Sequence, residues 1–267
     1  MCRLLGYLGA PMQLDRLLYK PEHSLIVQSY QPKEMTSGLL NADGFGVGWY
    51  HLQRPDSEPF TYKNTLPVWN DTNLASLSRY VESSCMLANV RSATPGIPTD
   101  LSNCQPFQHR RIQGIHNGFI SNFRQTLYRP IRERLSDATY QTIQGNTDSE
   151  HIFALIMHEL EVAPTVSLTE ALHRALSILS ELGQQYETEF SANVILTDGQ
   201  QLVASRFASC PPTPSLYWLR DDVLMPDAVL IASEPLFEGN WMVFPEASIL
   251  TVGQDLEVQV EGLGVVN

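Results

Sequence analysis

The sequence runs to 267 residues, of which 43% are hydrophobic and 17% charged, with a net charge of −12. That balance suits a soluble globular protein with a sizeable core. It speaks against a nucleic-acid partner, which asks for basic faces, and against anionic membrane surfaces. No apolar run approaches the roughly 20 residues needed to cross a bilayer, so no membrane partner is expected.

The four cysteines, Cys2, Cys85, Cys104 and Cys210, are widely spaced and form no CxxC pair. They read as reduced thiols of a cytoplasmic protein, not as a disulfide frame or zinc site. His158-Glu159 lacks the second histidine of a zinc-binding HExxH, so neither metal nor cofactor is expected. No cationic leader with an apolar segment and a small-residue cleavage site opens the sequence, and secretion is not expected.

Met1-Cys2-Arg3-Leu4-Leu5-Gly6-Tyr7 sets a cysteine directly behind the initiator. Methionine aminopeptidases remove Met before small side chains, which would leave Cys2 first. Its α-amine, with an ordinary pKa of roughly 7.7–8.0, could then take the proton of its own thiol, near 8.5. Such a residue is a nucleophile and base in one; a small apolar residue opening a buried strand is the plainer alternative.

Further along, 2–8 reads as a strand, 13–19 as a helical turn closed by Pro21, and 24–38 as polar loop. The alternating glycines of 41–50 suggest a turn feeding a strand whose glycine face admits a close neighbour. Trp49 stands where a dinucleotide fingerprint needs its third glycine. A Pro-containing turn over 54–58 leads to a returning strand at 60–63, and 74–81 is helical by spacing. The apolar strand 84–93 carries a cation near its end, Arg91, which needs either an internal partner or a ligand carboxylate.

The strand 112–120 runs into Asn117-Gly118, a turn signal when taken alone. A helix disturbed by Pro130 is expected over 122–136. Thr147-Asp148-Ser149-Glu150 fits a capping box that opens a helix to about 160, which by itself accounts for Asp148. A second long helix spans 168–186. Strands at 192–197 and 201–207 join through Asp198-Gly199, and more strand follows at 227–233, 248–252 and 256–260. Strands at both ends and helices in the middle indicate an α+β layered sandwich. With no linker or repeat, one domain over 1–267 is the economical division.

Taken together, Met1-Cys2, Val90 to Gly96, His116-Asn117-Gly118 and Asn146 to Glu150 resemble the class II glutamine amidotransferase family of N-terminal-nucleophile hydrolases, in the family's order. The resemblance spans essentially the whole chain and implies a four-layer αββα sandwich. It also implies roles: Cys2 as nucleophile with its own amine as base, Asn117 and Gly118 as oxyanion donors, Arg91 gripping a glutamyl α-carboxylate and Asp148 its α-ammonium. The implied partner is a small-molecule γ-glutamyl substrate, and a homo-oligomer stays open.

Glutamine-dependent synthases of the family carry Trp and His around the arginine, where Ser92 and Pro95 stand here, and no synthase domain has room to follow. The chain therefore looks like a free-standing γ-glutamyl hydrolase. More narrowly, 1–9, 21–25 and 41–50 resemble the branch that releases glutamate from γ-glutamyl-hercynylcysteine sulfoxide in ergothioneine biosynthesis. For the cationic leaving group of that branch, Trp49, Trp69 and Trp241 are candidate contacts. A glutaminase subunit feeding a separate synthase, an amidase for another γ-glutamyl compound and an inactive binding module are the competing readings.

Overall fold

The computed structural model describes residues 1–35, 38, 40–54, 56–94 and 96–264. Pro55 of the predicted turn and Pro95 of the resemblance motif lie outside them. In chain order the elements are β1 (Arg3–Gln13), α1 (Asp15–Leu18), α2 (Leu25–Tyr30), β2 (Phe45–Trp49), β3 (Phe60–Asn64), α3 (Thr72–Tyr80), β4 (Glu82–Val90), β5 (Phe107–His109) and β6 (Ile112–Ile120). They continue with α4 (Tyr128–Arg134), α5 (Asp137–Tyr140), α6 (Asp148–Val162), α7 (Leu168–Gln185), β7 (Phe190–Thr197), β8 (Leu202–Arg206), β9 (Tyr217–Asp222), β10 (Met225–Ala232), β11 (Met242–Val243), β12 (Ser248–Val252) and β13 (Val258–Gly262).

Among the described residues the strands form two antiparallel sheets, ordered β11-β9-β10-β1-β4-β2-β3 and β13-β12-β8-β7-β6-β5. Alternation along each strand gives each sheet two apolar faces. Leu4, Leu8 and Leu87 of the first sheet meet Ile115, Ile195 and Leu250 of the second, filling the layer between them. The outer face of the first sheet, with Tyr7, Val47 and Met86, buries Leu17, Leu18, Leu25 and Leu74 of α1 to α3. The outer face of the second carries α6 and α7 through Phe153, Ile156, Leu172 and Leu176. The result is the α+β, four-layer αββα sandwich that the resemblance implies.

Several local expectations change. The stretch read as loop over 24–38 contains α2, started by Ser24, whose Oγ accepts the Val27 N–H; one short helix offers too few turns for a period to show. Asn117-Gly118 makes no turn. Both residues lie inside β6, opposite Asn193 and Ala192 of β7. Glycine is needed at 118 because a Cβ would collide with the Ser191 carbonyl, so close packing of strands, not turn geometry, selects it. The helix expected over 122–136 shortens to α4, with Pro130 as its third residue, where a helix has no use for the missing N–H. The glycine face of β2 does admit close neighbours, as expected: side chains at Gly46 and Gly48 would strike the Gln105 carbonyl and the Gln113 side chain.

Candidate active site

Strand register assembles the site. β1 pairs with β4 so that Arg3 opposes Val90 and Leu4 opposes Asn89. Continued by one residue, that register sets Cys2 opposite Arg91, and the Cys2 Sγ stands 3.9 Å from the Ser92 carbonyl oxygen. On the other side of β4, the Arg91 N–H donates to Gly44 O at 2.9 Å and the Asp43 N–H donates to Arg91 O at 3.0 Å. Because Leu4 and Leu87 fill the inter-sheet layer, the two-residue period turns Cys2, Asn89 and Arg91 toward the same layer.

The second sheet brings its share to the same end. Cys85, early in β4, has its Sγ 3.1 Å from Thr197 Oγ1, and Thr197 pairs with Gln113 at the start of β6. Walking along β6 from Gln113 therefore follows β4 from Cys85 toward Arg91. Ile115 faces the inter-sheet layer, so Asn117 does too. At the end of β6, the Ile120 N–H donates to Asp148 Oδ2 at 2.8 Å. Cys2, Arg91, Asn117, Gly118 and Asp148 thus gather at one end of the sandwich.

Their polar surroundings are uneven. Arg91 is only 4% exposed. It donates from one terminal nitrogen to Asp43 O at 3.2 Å, and among the described residues it has no carboxylate partner. A buried guanidinium without a counter-charge is expensive. Asn117 is fully buried, and neither its amide nitrogen nor its oxygen has a hydrogen-bond partner among the described residues; Asn89 is in the same position. Unsatisfied buried polar atoms cost about 1–3 kcal/mol each, so both amides suit a polar guest.

Asp148 opens α6, capped by Thr147, whose Oγ1 accepts the Glu150 N–H at 3.2 Å. The Glu150 carboxylate does not return to the Thr147 N–H as a capping box would. It accepts the N–H groups of Gln144 and Gly145 at 2.8 and 2.7 Å, folding the preceding loop under the helix. Asp148 Oδ1 accepts the Ser149 N–H at 2.8 Å and lies 3.4 Å from the Ser149 hydroxyl, while Oδ2, which accepts the Ile120 N–H, keeps a lone pair for a cation. His116 braces this corner. Its Nε2 donates to Ser191 O at 3.1 Å and its Nδ1 accepts from Ser149 Oγ at 2.8 Å, an assignment that follows from the carbonyl's accepting only. Burial holds His116 below the ordinary imidazole range, against the pull of Asp148, consistent with a neutral ring.

Two of the other thiols, Cys85 and Cys104, are buried and unsuited to attack. Cys85 is fully buried, and burial pushes its thiol up to about 12; burial likewise raises Cys104. With Met1 present, the chain's amine is Met1's. Burial lowers its proton affinity, while Cys2 and Asp43 raise it and Arg3 lowers it further. The chain's amine and the Cys2 thiol therefore share one environment.

Sequence reasoning missed three residues here. Asp43 accepts the Ala93 N–H on Oδ2 at 2.8 Å, tying down the backbone two residues beyond Arg91. Arg3 donates from Nε to the Cys2 carbonyl at 2.8 Å and pairs with Glu234 at 3.0 Å. Nothing in a sequence links positions 231 apart. The tryptophans are not brought to the site. Trp49 and Trp241 pack on the outer-face core, and Trp69 stands edge-on to Tyr30 at 5.9 Å. A cavity of about 280 Å³ between β3, β5 and α6 is lined by Lys63, Gln108, Gln144 and Glu150, and none of the predicted site residues borders it. Among the described residues, no three His, Cys, Asp or Glu side chains converge as a metal site would, and no helix is long and apolar enough to cross a membrane.

Fold and site together define a sandwich of the N-terminal-nucleophile type with a cysteine at the head of a central strand. Residues 1–213 match the family model described as glutamine amidotransferases class-II, and the chain belongs to that family as an amidohydrolase. It is similar to the probable glutamine amidotransferase DUG3 of Saccharomyces cerevisiae, 32% identical over 94% of this chain and 82% of the relative. It is also similar to the gamma-glutamyl-hercynylcysteine sulfoxide hydrolase of Mycolicibacterium smegmatis, 30% identical over 98% of this chain and 100% of the relative. Among solved structures, a glutamine aminotransferase class-II domain protein from Silicibacter pomeroyi superposes with a TM-score of 0.70 at 26% identity, covering 97% of this chain and 98% of that one.

Proposed function

We propose that this chain hydrolyses a γ-glutamyl amide to glutamate and a free amine, with γ-glutamyl-hercynylcysteine sulfoxide as its substrate. The observation that carries the reading is Arg91: buried, without a carboxylate partner among the described residues, and set opposite Cys2 by the β1–β4 register. It is the seat for the α-carboxylate of a glutamyl group. Asp148 takes the α-ammonium, and these two contacts hold the γ-carbonyl over the Cys2 sulfur.

Removal of Met1 gives Cys2 its own amine. That amine takes the thiol proton, and the sulfur attacks the γ-carbonyl carbon. The oxyanion is met by the Asn117 side chain and the Gly118 N–H. The carbon–nitrogen bond then breaks, and the Cys2 ammonium gives its proton to the leaving amine. Water adds to the glutamyl thioester, the carbon–sulfur bond breaks, and glutamate leaves with the thiol restored. The whole sequence uses one domain and takes place in the cytoplasm, without a metal.

The substrate reading is supported by the full-length match to the mycolicibacterial hydrolase and by the 1–9, 21–25 and 41–50 stretches. A second reading, a glutaminase supplying ammonia to a separate synthase, is favoured by the similarity to the yeast probable glutamine amidotransferase. Glutamate release by Met1-processed protein decides between them. Preference for the sulfoxide conjugate over glutamine is expected; preference for glutamine, with a synthase in pull-downs, would overturn the substrate assignment.

A further inference from the structure

Cys2 lies one residue before the first paired residue of β1, where a chain end frays unless something holds it. The structure shows what holds it. Arg3 is 1% exposed, and its planar guanidinium joins two acceptors in fixed geometry: Nε to the Cys2 carbonyl at 2.8 Å and a terminal nitrogen to Glu234 Oε1 at 3.0 Å. Glu234 is equally buried and fully subscribed. Its Oε1 also accepts the Glu34 N–H at 3.0 Å, and its Oε2 takes His23 Nε2 at 2.7 Å and the Lys33 N–H at 2.8 Å. Glu234 is itself fixed, because its neighbour Ser233 extends the β10–β1 ladder through both its N–H to Leu4 O and its Oγ to the Leu4 N–H.

Folding stability alone does not explain this choice. A buried ion pair gives back little beyond its desolvation cost, and well-packed apolar residues commonly do as well. What apolar residues cannot do is donate a hydrogen bond to the Cys2 carbonyl while standing in a fixed frame. Arg3 suits that task better than Lys, because only a guanidinium presents donors in a rigid fork.

We propose that Arg3 and Glu234 are positioning residues that fix the main chain of Cys2 and so aim its sulfur at the bound γ-carbonyl. The inference rests on the reading of Cys2 as nucleophile. His23 and the backbone N–H groups of Lys33 and Glu34 complete the frame from the side of α2.

Arg3→Lys tests the proposal, because the ammonium can keep its pairing with Glu234 but loses the Nε donor to Cys2. The measurement is steady-state glutamate release by processed protein with a cooperative melt, from γ-glutamyl-hercynylcysteine sulfoxide or from glutamine, whichever wild type turns over. We expect kcat to fall roughly 10–100-fold, the scale for a misplaced reacting atom, with KM within about twofold because Arg91 and Asp148 are untouched. Should Arg3→Lys fail to fold, Glu234→Gln is read the same way, with kcat again falling and KM unmoved. An unchanged kcat, or a loss confined to KM or to the melting temperature, would overturn the positioning role. Cys2→Ala is run alongside. If it keeps wild-type release, the nucleophile reading falls and the inference with it; if it is dead while Arg3→Lys is normal, only the inference falls.

Discussion

Arg3 and Arg91 are two buried guanidiniums on neighbouring strands at the same end of the sandwich, and they are treated in opposite ways. Arg3 points to the outer side and meets a carboxylate, Glu234, at 3.0 Å. Arg91 points into the inter-sheet layer and, among the described residues, meets a backbone oxygen of Asp43 at 3.2 Å and no carboxylate. Both have paid the cost of desolvation, but only Arg3 recovers it within the chain. The lesson is that a buried charge with its partner at home belongs to the frame, whereas one left without a partner marks where a ligand brings the missing charge.

The contrast has meaning only if Arg91 faces a reacting thiol, so the harshest test lies at Cys2. Cys2→Ala should lower glutamate release on the order of 10⁴-fold or more, the scale of losing a nucleophile, with the melting curve nearly unchanged because Cys2 is only partly buried. Next in size is Asn117→Ala. Removing one oxyanion donor should cost roughly 10²–10³-fold in kcat, and because both amide atoms lack partners among the described residues, denaturant unfolding should show no loss of a structural hydrogen bond.

The arginines themselves are then exchanged for methionine. Arg3→Met strands Glu234 and should destabilise the fold by about 3–5 kcal/mol in urea titrations. Arg91→Met strands no charge, only the Asp43 carbonyl, and should leave stability nearly unchanged, while KM rises roughly 10–100-fold through the lost charged hydrogen bonds. Equal destabilisation by both would erase the distinction.

The smallest effect is in pH. Burial alone would raise the Glu234 pKa, but hydrogen bonds from His23, Lys33 N and Glu34 N, with the charge of Arg3, bring it below the ordinary value of 4.5. A depressed carboxylate adds stability above its unfolded pKa, and this is lost as pH falls through the folded value. Wild type should therefore lose unfolding free energy below about pH 4.5, and Glu234→Gln should lack that part of the slope.

Much of this was legible in the sequence, for physical reasons. The long helices α6 and α7 repeat their apolar residues over several turns, and Asp198-Gly199 announces a hairpin, so local pattern and tertiary structure agree there. The helix α2 was hidden because six residues among polar neighbours carry no period. β9 was hidden because Tyr217-Trp218-Leu219 runs into Arg220-Asp221-Asp222 without alternation. Asn117-Gly118 misled because a strand position that needs glycine for close packing spells the same dipeptide as a turn. At the site, the five predicted residues were readable as short motifs in order, and the structure gathers them at one end. Glu234 and Asp43 were not readable, because a carboxylate acquires its meaning from the strand or turn laid beside it.

A covalent glutamyl group on Cys2 is tested most directly by the mass of rapidly quenched, Met1-processed enzyme. With the γ-glutamyl substrate in excess, the N-terminal peptide should carry one glutamyl group, which hydroxylamine removes and Cys2→Ala abolishes. Turnover with that peptide unmodified at every quench time, or with the glutamyl group on another residue, would contradict it.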